Sequence, residues 1–169
     1  GNRPTELGRT AAGIRGQNEL FLTEMAMSGI FETLEPAELV PILTALVGDD
    51  SRAKDNMRVR VSPQVEMALI EVQKLQRKIL RLQKDHDVEI PITIGVSLCG
   101  LTEMWAQGAT WETIRRSTPY DEGDVVRSMR RTLDLARQYV RANGIPDKVQ
   151  DLCQRVELLL NRDEVSEDF

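Results

Sequence analysis

Five arginines, Arg127, Arg130, Arg131, Arg137 and Arg141, recur within one periodic stretch from Thr118 to Gly144. On a 3.6-residue wheel they cover about a third of the circumference. Val125, Val126, Met129, Leu133, Ala136, Tyr139 and Val140 gather on the other side. A row of guanidinium groups can fork onto phosphates and stack on bases, whereas a row of ammonium groups offers only point charges. Arg127 and Arg131, one turn apart, would reach adjacent positions along a strand of nucleic acid. Glu122, Asp124 and Asp134 are close enough to partner some of these cations, so a solvated, salt-bridged face is the competing reading.

The segment that positions them carries helix signals at both ends. Asp121 is placed as an N-cap, with Asp124 three residues on in a capping-box position, and Asn143-Gly144 followed by Pro146 supplies the stop. Upstream, Asn18 to Met27 is helical up to the Ser28-Gly29 turn. Pro36 opens a helix that continues through Leu46, with Pro41 awkwardly inside it. Gly48 to Val61 is a polar loop. Ser62-Pro63 starts a long helix ending near Asp85, with Val65, Ala68, Val72, Leu75, Ile79 and Leu82 on its core side. Lys74, Arg77, Lys78, Arg81 and Lys84 line another side, facing water or a neighbouring domain. Ile94 to Gln107, Thr110 to Arg116 and a last helix from Pro146-Asp147 complete the pattern. The expectation is an all-α helical bundle of six to seven helices with one long, central, arginine-faced helix.

Composition agrees. Aromatic residues make up only 4% of a 169-residue chain that is 41% hydrophobic, so the core must rest on Leu, Ile, Val, Met and Ala. The net charge of −5 argues against indiscriminate nucleic-acid binding, but the charges are segregated. Asn18 to Asp50 contains no basic residue, while Arg52 to Lys84 holds nine Lys/Arg against three Asp/Glu. Cys99 and Cys153 lie in apolar helical patterns and read as buried free thiols of a reducing compartment. No apolar run reaches the length of a membrane span. His86 is the only histidine and sits in a polar connector, which gives neither a metal site nor a catalytic triad. The chain has no G-x-x-x-x-G-K-[ST] and no Asp-Glu-x-His, so it is not expected to be an ATPase or to hold a cofactor of its own.

From Leu101, the run L-T-E-M-W-A-Q-G-A-T-W-E-T-I, then Asp121-Glu122-Gly123-Asp124, then R-S-M-R-R-T-L-D-L resembles the DSHCT domain. This is the C-terminal helical domain of DExH-box RNA helicases of the Ski/Mtr type. N-E-L-F-L-T-E-M-A-M-S-G-I-F (Asn18 to Phe31) and L-E-P-A-E-L-V-P-I-L-T-A-L-V (Leu34 to Val47) resemble its opening helices. T-E-L-G-R-T-A-A (Thr5 to Ala12) resembles the exit from a preceding winged-helix domain. The resemblance implies a division into residues 1–17 leading in from that domain, a bundle over 18–162 and an acidic tail over 163–169. Asp-Glu-Gly-Asp with Arg-Arg-Thr-Leu-Asp-Leu is most similar to the plastid and cyanobacterial branch, implying an intracellular protein of the plastid stroma or cyanobacterial cytoplasm. It also implies a parent chain whose RecA-like core uses ATP and Mg, with the helical domain guiding the exiting single-stranded RNA. The family's base-contacting arginine falls on Arg131, flanked by Arg127 and Arg130. An RNA-approaching acid falls near Asp49 or Asp50, of which Asp50 is the assigned position.

Two other functions fit parts of the sequence. Thr110 to Arg116, a turn, and the arginine helix have the order of a helix-turn-helix reader of duplex, although Asp121, Glu122 and Asp124 would meet phosphates with like charge. The basic faces could also dock acidic protein surfaces. Trp105 and Trp111, near Leu101, Met104 and Ile114, read as core before they read as stacking platforms.

Overall fold

A computed structural model describes residues 18–50 and 59–166. The resemblance at Thr5 to Ala12, the whole lead-in segment, the middle of the 48–61 loop and the last residues of the acidic tail lie outside that range. The described residues form seven α-helices and no strand: α1 (Glu19–Met27), α2 (Pro36–Val47), α3 (Pro63–Asp85), α4 (Cys99–Ala106), α5 (Trp111–Arg116), α6 (Glu122–Arg141) and α7 (Asp147–Leu160). The all-α bundle is as expected, and α6 is its arginine-faced helix. At 23 residues α3 is longer than α6, which has 20.

The hub is α2, which packs against α3, α4, α6 and α7. Every residue from Leu39 to Leu46 is buried, Pro41 included. Here an internal proline is accommodated one turn and a half into the helix, and its carbonyl accepts from the Cys99 thiol at 3.2 Å. Burial on all sides explains why α2 is apolar all round rather than striped. Its first turn is closed by the Glu38 carboxylate, which accepts from the Glu35 backbone N–H at 2.8 Å.

Polar groups inside the bundle are paired across helices. Thr44 of α2 meets Thr102 of α4 at 2.9 Å and Thr132 of α6 at 3.0 Å. Glu103 of α4 is 4% exposed and accepts from both the backbone N–H and the hydroxyl of Ser62, each at 2.7 Å. Ser62 therefore occupies the N-cap of α3 without capping it through its own side chain. A carboxylate from another helix takes the orphan donor and complements the positive end of α3. Gln150 of α7 does the corresponding work at the far end of α6, donating to the carbonyls of Val140 and Ala142 at 3.0 and 2.9 Å. Gly144, at φ 83°, then turns the chain.

Three expected details differ. Asp121 is the N-cap residue of α6 but makes no side-chain cap bond, and Asp124 is engaged by Arg127 instead. Leu82 is 48% exposed, because the core side of α3 near its end is taken over by Gln83, which bonds Asn18 and the Ile90 carbonyl. The helix expected from Ile94 begins only at Cys99. Residues 94–98 are held in a non-helical path by the end of α2: the Gly95 N–H donates to the Ala45 carbonyl at 2.9 Å. The Asp50 carboxylate accepts from the N–H groups of Val96 and Ser97, each at 3.1 Å.

Cys153 is a buried thiol outside any disulfide, as is Cys99. Burial, with the Glu157 carboxylate adding to it, pushes Cys153 up to about 12 from 9.0. The unfolded thiol ionises first, so the stabilising difference is complete below about pH 9 and is lost as pH rises toward about 12. For one such group the slope is about 1.4 kcal/mol per pH unit. Urea denaturation across about pH 8.5 to 10.5 should show this decline, and Cys153→Ala should flatten it by about one proton's worth. Burial also raises the Tyr139 phenol well above its usual range, so some decline persists in the variant.

Candidate nucleic-acid interface

The inner side of α6 is fixed by Val125, Met129, Thr132, Leu133, Leu135, Ala136 and Tyr139, all buried. Tyr139 is anchored by its hydroxyl to the Leu22 carbonyl at 2.5 Å and meets Phe31 edge-on, with ring centroids 5.5 Å apart. These contacts set the rotation of α6 and bring Arg127, Arg130 and Arg131 to the surface together. All three line an open groove of about 970 Å³ that runs along α6. Its other surfaces are Leu22 of α1, Leu46 and Val47 of α2, Trp111 of α5 and Glu164.

A second concavity of about 320 Å³ adjoins the first. Arg127 and Arg131 line both, and so form the ridge between them. Asp49, Ser97, Tyr120 and Ser128 contribute polar atoms to this second space. The Asp50 carboxylate is occupied elsewhere: besides the amides of Val96 and Ser97 it accepts from the Ser97 hydroxyl at 2.6 Å. Of the two acids indicated by the sequence, Asp49 is the exposed one that shares a concavity with the arginines. Asp50 fastens the wall behind it.

The arginine row is not uniform. Arg127 pairs with Asp124 at 2.9 Å while remaining 61% exposed. Arg130 reaches the carbonyls of Val165 and Glu164 at 3.4 and 3.5 Å. That contact ties α6 to the 3-10 turn Asp163–Val165, whose Val165 side chain is wholly buried. Arg137 is half-buried and lies 3.5 Å from Glu157 of α7. Arg131, by contrast, is exposed and has neither a hydrogen bond nor an ion pair with any described residue. Its guanidinium carries its full donor set into the groove.

The two tryptophans separate. Trp105 is fully buried, donates through Nε1 to the Leu160 carbonyl at 3.1 Å, and is covered by Arg162, 3.4 Å above its ring. Arg162 also donates to the Trp105 and Ala109 carbonyls at 2.7 and 2.8 Å. Trp111 packs edge-on against Trp105 at 5.9 Å and leaves part of its surface in the groove. Sequence reasoning missed Glu103 and Arg162, because each acts on a residue distant in sequence and neither stands in a local motif.

Residues 1–167 match the DSHCT (NUC185) domain. The chain belongs to the DSHCT family. Its relatives are DExH-box helicases of the Ski2/Mtr4 type. This DSHCT chain is 30% identical over 165 residues to the chloroplastic DExH-box ATP-dependent RNA helicase DExH15 of Arabidopsis thaliana, covering 95% of the chain and 14% of that protein. It is 29% identical over 140 residues to the human exosome RNA helicase MTR4, covering 80% and 13%. With the antiviral helicase SKI2 of Saccharomyces cerevisiae the identity is 24% over 147 residues, covering 82% and 11%. The DSHCT chain thus spans about a seventh or less of the length of these relatives. Among its described residues no helix is long and apolar enough to cross a membrane.

Proposed function

We propose that this DSHCT chain is the RNA-guiding module of an ATP-dependent helicase, contacting single-stranded RNA along the α6 groove as the strand leaves the helicase core. The observation that carries the reading is Arg131: an exposed guanidinium at the ridge between two concavities, with no described intramolecular partner. Arg131 stacks on or forks onto the strand, Arg127 assists one turn away, and Arg130 borders the groove while holding the 163–165 turn. Asp49 takes the acidic position in the adjoining concavity and Asp50 supports its wall. ATP and Mg belong to the RecA-like core of the parent chain, which with a winged-helix domain is the module's intramolecular partner. The likeness to a chloroplastic helicase supports a plastid or cyanobacterial setting.

The helix-turn-helix alternative has less support. The first turn of α6 presents Glu122 and Asp124, engaged by Arg115 at 2.8 Å and Arg127 at 2.9 Å, where a recognition helix would meet base edges. Competition of a labelled single-stranded RNA against unlabelled single strand and matching duplex separates the two. The guiding module prefers the single strand, with salt-sensitive affinity. Tighter binding of duplex would reverse the ranking.

A further inference from the structure

The cations left uncommitted by the fold are concentrated on α3 rather than on α6. Val65, Ala68, Val72, Ile79 and Gln83 turn one side of α3 into the bundle. The helical period then places Lys74, Arg77, Arg81 and, beside them, Lys78 and Lys84 on the outward side, and all five are exposed. Lys74, the Arg77-Lys78 pair, Arg81 and Lys84 recur at intervals of three and four residues over about 15 Å of helix axis. Among the described residues, only Lys74 of the five has a partner, Glu71 at 3.0 Å. The side chains of Arg77, Lys78, Arg81 and Lys84 make no ion pair or hydrogen bond with any described residue. On α6 the comparable row has lost Arg127, Arg130 and Arg137 in part to Asp124, two carbonyls and Glu157.

We infer that the outward face of α3 is a second, sequence-independent RNA surface that holds the phosphate backbone while the α6 groove engages bases. This rests on the RNA-guiding reading for the identity of the polyanion; the placement of the cations does not. Four uncommitted cations in a line, with no carboxylate between Arg77 and Lys84, form a potential suited to a linear polyanion. No aromatic residue occurs in α3 to stack on a base, so the contact is with phosphates and carries no base preference. A second copy of the chain does not fit this face, because pairing it with itself would set Arg77 and Arg81 against like charges. Met67 and Ile70, 69% and 50% exposed, continue the same side toward the start of α3. They are what an acidic protein surface would use if it were the occupant instead.

The division of labour gives each surface its own signature. Log-log plots of affinity for a fluorescent single-stranded RNA against salt concentration are measured for the wild-type chain and for three variants. These are Arg77→Gln/Lys78→Gln/Arg81→Gln/Lys84→Gln, Arg131→Ala, and Lys148→Gln/Arg155→Gln as exposed α7 controls; melting temperatures confirm folding. Each lost phosphate contact on a single strand lowers the slope by about 0.7, so the α3 variant should flatten it by up to about 3. Its affinity at low salt should fall at least about tenfold. Arg131→Ala should weaken binding while changing the slope by no more than about 0.7, and the α7 control should change neither. An unchanged slope and affinity in the α3 variant would overturn the inference and leave the face to an acidic protein, with the groove reading intact. Loss of binding in the α3 variant beside an unaffected Arg131→Ala would uphold the inference and remove the groove reading. Absence of binding by the folded wild-type chain would overturn both.

Discussion

Trp105→Ala should destabilise the bundle by about 4 kcal/mol, the upper part of the range for removing a buried large side chain. Three separate losses coincide at this residue. The indole fills a fully buried site, so truncation leaves a cavity lined by α4, α5 and α7 rather than one that solvent or a single helix can relax into. Its N–H is the donor to the Leu160 carbonyl near the end of α7, which would be left without that partner. Its ring is also the surface on which Arg162 lies, and Arg162 in turn clasps the Trp105 and Ala109 carbonyls. A loss of that size is a large fraction of the stability of a domain this small. Chemical denaturation of Trp105→Ala beside Trp105→Phe separates the contributions: Phe restores much of the volume but neither the donor nor the full stacking surface. The Phe variant should fall between wild type and Ala, and equal stability of all three would show that the site is not part of the cooperative core.

Gly95→Ala should be nearly as damaging, at about 3 kcal/mol, and should also disturb the groove. Gly95 crosses the end of α2 so closely that a Cβ there would collide with the Gly48 carbonyl carbon and the Asp49 amide, both backbone atoms unable to swing aside. Relief requires that the 94–98 segment lift away. The Gly95 to Ala45 hydrogen bond and the three bonds that Asp50 makes to Val96 and Ser97 would lengthen together. Asp49 and Ser97 border the concavity beside Arg131, so the same displacement reshapes it. Thermal denaturation should show the loss of stability, and RNA affinity measured well below the melting temperature should fall as well. A small side chain tolerated without change in either would mean that the α2 end and the 94–98 segment are not in contact in solution.

Most helices were legible because their signals are local. Ser62-Pro63 and the periodicity behind it mark α3, and its observed bounds are Pro63–Asp85. Ser28-Gly29, Thr110 and Asn143-Gly144 mark ends in the same way, and Thr110 does cap α5 by accepting from the Thr113 N–H at 3.2 Å. The start of α4 was not legible, because nothing between Ile94 and Leu98 forbids helix. The Gly95 to Ala45 bond, from the last turn of α2, and the Asp50 carboxylate, three residues beyond that helix, impose the other path. Leu82 was misplaced for a related reason. Periodicity puts it near the core side, but its neighbour Gln83 reaches Asn18 and Ile90, and the polar contact takes the position. Spacing likewise displays the arginine row of α6 as five equal cations. Which of them remain available depends on Glu157 and the 163–165 carbonyls, residues that only the fold brings near.

The central claim is that Arg131 is the principal base-contacting cation of the groove. Fluorescence-anisotropy titration of a short single-stranded RNA with wild-type and Arg131→Ala chains, at one low salt concentration, tests it most directly. A guanidinium stacked on one base contributes about 1–2 kcal/mol, so the variant should bind about five- to thirtyfold more weakly, with an unchanged melting temperature because Arg131 makes no hydrogen bond or ion pair with any described residue. Equal affinity of the two proteins would contradict the assignment.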